Sequence, residues 1–167
     1  PRHGQSFNFE WRGERDSIGA DENLDAFELS WLVARSFDRH TLIFWMDAGT
    51  TADAELVRPQ NFYSLGGFLN LSGLPPGYLA GPHYGIARLI YQRRVGRGGE
   101  GVLDLPAYAG VSFEAGNTWL ESSDIGDMRK NASLFFGLDS PLGPVYLAAG
   151  YDQEGETAFY LFLGRTF

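Results

Sequence analysis

Ser64 and Ser72 stand in a glycine-rich stretch, Phe62-Tyr63-Ser64-Leu65-Gly66-Gly67-Phe68-Leu69-Asn70-Leu71-Ser72-Gly73, where a nucleophilic serine would first be sought. A hydrolase elbow needs Gly-x-Ser-x-Gly, because the serine must sit on a sharp turn that only small neighbours allow. Ser64 has Phe62 two residues before it and Ser72 has Asn70, so neither completes that motif. The candidate bases His3, His40 and His83 fall at predicted strand ends or in the N-terminal tail, without a serine partner at the same height. Solvated or interfacial imidazoles are the expectation, and a hydrolase carried by this chain is not. Metal chemistry has less support still. No His or Asp pair shows helical i, i+4 spacing, and Glu121, Asp124 and Asp127 belong to a predicted external loop, where they would meet at most lipid-bound divalent ions. No cofactor or metal is expected.

The charged residues that remain must be positioned by something larger. The chain has 167 residues, enough for one core, and carries a net charge of -8. Its single lysine, Lys130, and scattered arginines argue against nucleic acid, which needs clustered cations. Cysteine is absent, so disulfides and thiolate chemistry are excluded. No run approaches the roughly 20 apolar residues of a membrane helix. The chain begins at Pro1 with no visible signal peptide, and is read as a piece of a longer polypeptide.

Asn, Gly, Asp and Pro clusters divide it into about eight alternating stretches, at residues 5–13, 25–36, 40–49, 83–94, 103–116, 130–138, 143–151 and 156–167. Phe7, Phe9 and Trp11 alternate with Asn8, Glu10 and Arg12, and Ala132, Leu134 and Phe136 alternate with Asn131, Ser133 and Gly137. One face is greasy and the other polar. The polar set includes Glu10, Arg12, Glu28, Asp47, Arg88 and Glu114, which either line a water-filled path or fill a narrow interior. Pro106 cannot donate to a ladder, so a bulge or a late strand start is expected there. The last stretch places Phe159, Leu161, Leu163 and Phe167 on one face, broken only by Arg165, whose long stem can snorkel to headgroups. Such an ending belongs to outer-membrane barrels.

Connections alternate in length. Those over 13–24, 50–82, 117–129 and 152–155 are mostly long and the interleaved ones mostly tight, as in an outer-membrane barrel with short periplasmic turns. The connection 50–82 is too long and too apolar for a passive loop, and a structured plug or cap is expected.

At Phe62-Tyr63-Ser64-Leu65-Gly66-Gly67 and Leu71-Ser72-Gly73-Leu74 the chain resembles the C-terminal barrel of patatin-like phospholipases of Gram-negative bacteria. That barrel is similar to the surface-antigen superfamily of outer-membrane insertases and two-partner-secretion transporters, whose sixth loop folds inward. Phe113-Glu114-Ala115-Gly116-Asn117-Thr118-Trp119 resembles the strand facing the loop tip, and Leu163-Gly164-Arg165-Thr166-Phe167 resembles the closing strand. The resemblance implies an all-β, transmembrane antiparallel β-barrel of about eight strands, the C-terminal half of a sixteen-stranded one. It implies a type V autotransporter anchor in the bacterial outer membrane, surrounded by lipid, folded by the barrel-assembly machinery and following an upstream patatin domain. The motif residues carried over are Gly66, Gly67, Leu71, Ser72 and Gly73. Ser72 replaces the superfamily's tip arginine and Glu114 its aspartate, so the usual charge-assisted lock is lost. Either Ser72 makes a neutral-donor hydrogen bond to Glu114, or Arg88 substitutes, and an Arg88 to Glu114 contact is expected.

Closure stays open: self-closure, pairing of two copies as a homodimer, or completion by an N-terminal half. The rival readings are a stand-alone small membrane barrel, as adhesin or lipid-modifying enzyme, and a soluble lipocalin-like barrel with Phe7, Phe9, Leu161 and Leu163 inside a dry cavity.

Overall fold

A computed structural model of the chain describes residues 3–14, 24–52, 59–95, 106–121, 126–140 and 143–163. The alternating stretches form one antiparallel sheet. Its strands are β1 (His3–Glu14), β2 (Leu24–Phe37), β3 (His40–Ala52), β6 (His83–Arg94), β7 (Ala107–Trp119), β8 (Arg129–Ser140), β9 (Gly143–Asp152) and β10 (Thr157–Leu163). They pair in chain order, a pure meander, with two short strands, β4 (Tyr63–Leu65) and β5 (Leu79–Gly81), set apart between β3 and β6. The protein is all-β with an eight-stranded antiparallel sheet. Among the described residues no ladder joins β1 to β10, so the sheet is open rather than a closed barrel. Residues 103–105 of the fifth expected stretch, and Arg165 and Phe167 of the last, lie outside the described residues. β7 starts at Ala107, directly after Pro106, as the missing amide hydrogen requires.

The strands are strongly staggered. Following paired residues across the sheet leads from Gln5 to Val33, Phe44, Leu89, Phe113, Ala132, Tyr151 and finally Thr157. Gln5 is near the start of β1 and Thr157 opens β10, although neighbouring strands run in opposite directions. One row therefore climbs from one rim of the sheet to the other, a drift of about one residue per strand, as in sheets whose strands tilt by about 35–45° to a common axis.

Period two sorts the side chains onto two faces. Phe7, Trp31, Phe113, Leu134, Leu147, Phe159, Leu161 and Leu163 share one face and are all exposed. The other face carries Asp47, Arg88, Ser112, Glu114, Asn131 and Ser133, most of them buried, because residues 59–82 fold over it. That segment has a 3-10 turn at Pro59–Asn61, the β4–β5 pair and a tight tip at residues 66–74. It supplies the core. Leu65, Leu71 and Leu74 pack on Ile86, Leu69 joins Ile90, Phe135 and Ala148, and Phe62 lies against Ala26. Phe68 sits among the rings of Phe135, Tyr160 and Phe162, with centroids 5.6–5.9 Å apart. The long connection is thus an ordered cover.

Candidate functional site

The tip is built by backbone conformations that its residues make possible. Gly66 and Gly67 have φ of 124° and 109°, which side chains rarely adopt, and the Gly66 amide donates to the Asn70 carbonyl at 2.7 Å while Gly67 donates to Leu74 at 2.9 Å. Leu69 and Leu71 also lie at positive φ, 56° and 70°. Each non-glycine residue held there costs on the order of 1–3 kcal/mol, so the contacts around the tip must over-determine it.

They converge on Glu114. Its carboxylate accepts from the Ser72 amide at 2.7 Å, from the Ser72 hydroxyl at 2.6 Å and from the Ser112 hydroxyl at 2.5 Å. Ser72 Oγ accepts in turn from the Leu69 amide at 2.9 Å, and Ser133 lies 2.6 Å from Ser112 Oγ. One residue along, the Gly73 amide donates to Asn131 Oδ1 at 2.8 Å. The Tyr160 hydroxyl is 2.9 Å from the carbonyls of both Ser72 and Leu74, which share its one proton from β10. Ser72 is fully buried, its hydroxyl proton directed at Glu114. This serine locks a loop, with its hydroxyl proton engaged by the Glu114 carboxylate and its oxygen by the Leu69 amide.

Glycines let the tip come close. A Cβ on Gly150 would overlap the Ser72 carbonyl, and one on Gly73 would overlap the Asp152 amide. Leu71, Ser72 and Gly73, with Gly66 and Gly67, are therefore joined in one clamp against β7, β8, β9 and β10.

The expected Arg88 to Glu114 contact is not formed. The two are register partners on β6 and β7 and both are buried on the covered face, yet no ion pair or hydrogen bond joins them among the described residues. The Arg88 guanidinium instead turns toward β3 and the loop. It pairs with Asp47, donates from Nε to the Leu69 carbonyl at 2.5 Å and from Nη2 to Asn70 Oδ1 at 3.1 Å, and stacks 4.4 Å over the Trp45 ring. One donor from each of the three guanidinium nitrogens and a cation–π face are engaged there, whereas Glu114 already has three donors of its own. Two separate locks replace the single pair.

Sequence reasoning missed Ser112, Asn131, Ser133, Asn70 and Tyr160. Their signal was present, since each strand residue among them holds a polar-face position of its alternating stretch, but alternation cannot say which of many such positions the loop will meet. The histidines do have partners. His83 Nδ1 lies 2.8 Å from Thr50 Oγ1, and His40 Nδ1 lies 2.6 Å from the Tyr91 hydroxyl with the rings stacked. His3 is exposed. Glu121 and Asp127 are exposed, and Asp124 lies outside the described residues. Phe159, Leu161 and Leu163 all project from the uncovered face.

No protein-family model matches this chain, and a search of the curated proteins finds no match.

Proposed function

We propose that this chain is a bacterial outer-membrane β-barrel segment, the anchor and translocator of a patatin-like phospholipase of the autotransporter type, without catalysis in this piece. One observation carries the reading: the inversion of the two faces. Phe7, Phe113, Leu134, Phe159 and Leu163 are 62–81% exposed, while Arg88, Glu114 and Asn131 are at most 5% exposed. Water favours the reverse, and hydrocarbon favours this. A lipocalin-like barrel would need Phe7, Phe9, Leu161 and Leu163 inside, and they face out. The uncovered face also has ends marked by ring side chains. Trp11, Phe27, Thr50, His83 and Trp119 form one register row, and His40 and Tyr91 stack toward the opposite end. From Thr50 to His40 on β3 is about 33 Å of strand, which at a tilt of about 40° gives a band of about 25 Å, the height of an outer-membrane apolar belt.

The clamped loop supports a barrel larger than eight strands. An eight-stranded interior is just wide enough for its own side chains, and here the inward face carries a folded segment with two strands of its own. The edges of β1 and β10, which no ladder joins among the described residues, would then be met by further strands, from elsewhere in a longer polypeptide or from a second copy. The test is extraction and mass. The protein should require detergent, migrate differently on gels with and without heating, and as an isolated chain either pair into dimers or stay edge-exposed and aggregation-prone. A detergent-free, monodisperse monomer in water would sink the proposal.

A further inference from the structure

The uncovered face changes character at the end where the short turns lie. Alternation carries Trp31, Val33 and Arg35 outward on β2, Phe44, Leu42 and His40 on β3, and Leu89, Tyr91 and Arg93 on β6. Register sets these residues in rows: Val33, Phe44 and Leu89, then Arg35, Leu42 and Tyr91, then Phe37, His40 and Arg93. On all three strands the apolar run therefore gives way to cationic groups and polar rings over the same two rows. Arg35, Arg39 and Arg93 are exposed. On a chain of net charge -8, the described residues 35–40 and 91–95 hold four arginines and one acid, Asp38.

The stagger sets the two outward arginines at one height. A row climbs by about one residue per strand, so two strands along, the residue level with Arg35 is the one two places nearer the short-turn rim than its row partner Tyr91. That residue is Arg93. Two strand spacings and two residue rises put the two Cα atoms about 12 Å apart, a gap that two long side chains can close from both sides on one anion. Between them His40 Nδ1 lies 2.6 Å from the Tyr91 hydroxyl with the rings stacked. Arg35 gives one N–H to the Ala34 carbonyl at 3.3 Å, out of five donors. Toward the middle of the band, Leu42 and Leu89 are each 43% exposed and continue the apolar surface.

We infer that Arg35 and Arg93, with the His40 and Tyr91 rings between them, form a binding site for the phosphate of an anionic phospholipid whose acyl chains lie over Leu42 and Leu89. The inference rests on the membrane reading of the uncovered face and adds a ligand of stated charge to it. Charge complementarity selects the occupant. A guanidinium matches a phosphodiester with two parallel N–H donors, and two guanidinium groups at one height favour a headgroup that brings no ammonium of its own. Position supplies the rest. These arginines stand on the same outward rows as the apolar residues, so a phosphate that reaches them lays its tail along Leu42 and Leu89.

The test is native mass spectrometry of the protein folded in neutral detergent and titrated separately with dioleoyl phosphatidylglycerol, dioleoyl phosphatidylethanolamine and glycerol 3-phosphate. The expected result is one phosphatidylglycerol retained per chain at saturation, bound roughly threefold to tenfold more tightly than phosphatidylethanolamine. Arg35→Gln and Arg93→Gln should each reduce that preference, and Arg12→Gln, at an exposed arginine on the opposite face, should leave it unchanged. Circular dichroism on each variant establishes that it is folded, and the comparison of the two lipids on the unaltered protein needs no variant. Equal binding of the two lipids would overturn the site, as would a preference that Arg12→Gln lowers as much as Arg93→Gln, the mark of net charge alone. Glycerol 3-phosphate binding as tightly as phosphatidylglycerol would reject the lipid as occupant. The underlying membrane reading is tested separately by quenching of Trp31 with brominated lipid in vesicles; quenching there without a charge preference rejects the site alone, and no quenching rejects both.

Discussion

Ser72 presents both its backbone amide and its hydroxyl to the Glu114 carboxylate, at 2.7 Å and 2.6 Å, across 42 residues of sequence. Two donors from one residue to the two oxygens of one carboxylate give the geometry that a bidentate arginine would give, without the positive charge. Ser72→Ala removes one of them and strands the Leu69 amide, and should destabilise the tip by about 1–3 kcal/mol. Glu114→Ala should cost more, because it leaves the donors of Ser72 and Ser112 buried and unmet. Both are read as faster proteolysis within residues 66–74, and unchanged cleavage in Glu114→Ala would refute the clamp.

Gly150 is where β9 passes beneath the tip. A Cβ there meets the carbonyl and backbone of Ser72, which cannot yield without moving the loop, whereas a Cβ on Gly85 meets only the Trp119 ring at 3.4 Å and 3.5 Å, ordinary van der Waals contact. Gly150→Ala should therefore release the tip and raise protease sensitivity while Gly85→Ala changes little. Equal behaviour of the two variants would count against the close approach.

The Arg88 and Asp47 pair is buried, with side chains 6% and 14% exposed. Removing one member leaves the other uncompensated, so Arg88→Met should lower stability by about 3–5 kcal/mol in a denaturant titration. The double variant Arg88→Met with Asp47→Leu should recover part of that loss. A double variant that is the sum of both singles would show that the pair is not coupled.

Phe113 and Leu134 lie near the middle of the uncovered face. If that face meets hydrocarbon, Phe113→Arg and Leu134→Arg should each cost about 2–4 kcal/mol of folding stability in a bilayer. On a water-facing surface the same changes would fall within about 0.5 kcal/mol of zero. Ser64, exposed on β4, supplies the control, with Ser64→Arg near neutral in either case.

Much of this protein could be read along the chain. Period two located the eight strands, sorted Glu114 and Arg88 onto the polar face and marked Phe159, Leu161 and Leu163 as outward-facing, because side-chain alternation is a local property of extended backbone. Pro106 set the start of β7, and the length and apolar content of residues 50–82 marked a folded connection. What sequence could not decide was which polar-face residue meets which. Arg88 and Glu114 are neighbours in register, yet a flexible guanidinium chooses among every acceptor within its reach, and Asp47 on β3 together with the Leu69 carbonyl and Asn70 brought by the loop stand in better positions. The setting of Trp119 is of the same kind. Ala48 and Gly85 are 37 positions apart in the chain, and only strand pairing lays these two small residues side by side, with the Trp119 ring close to Gly85.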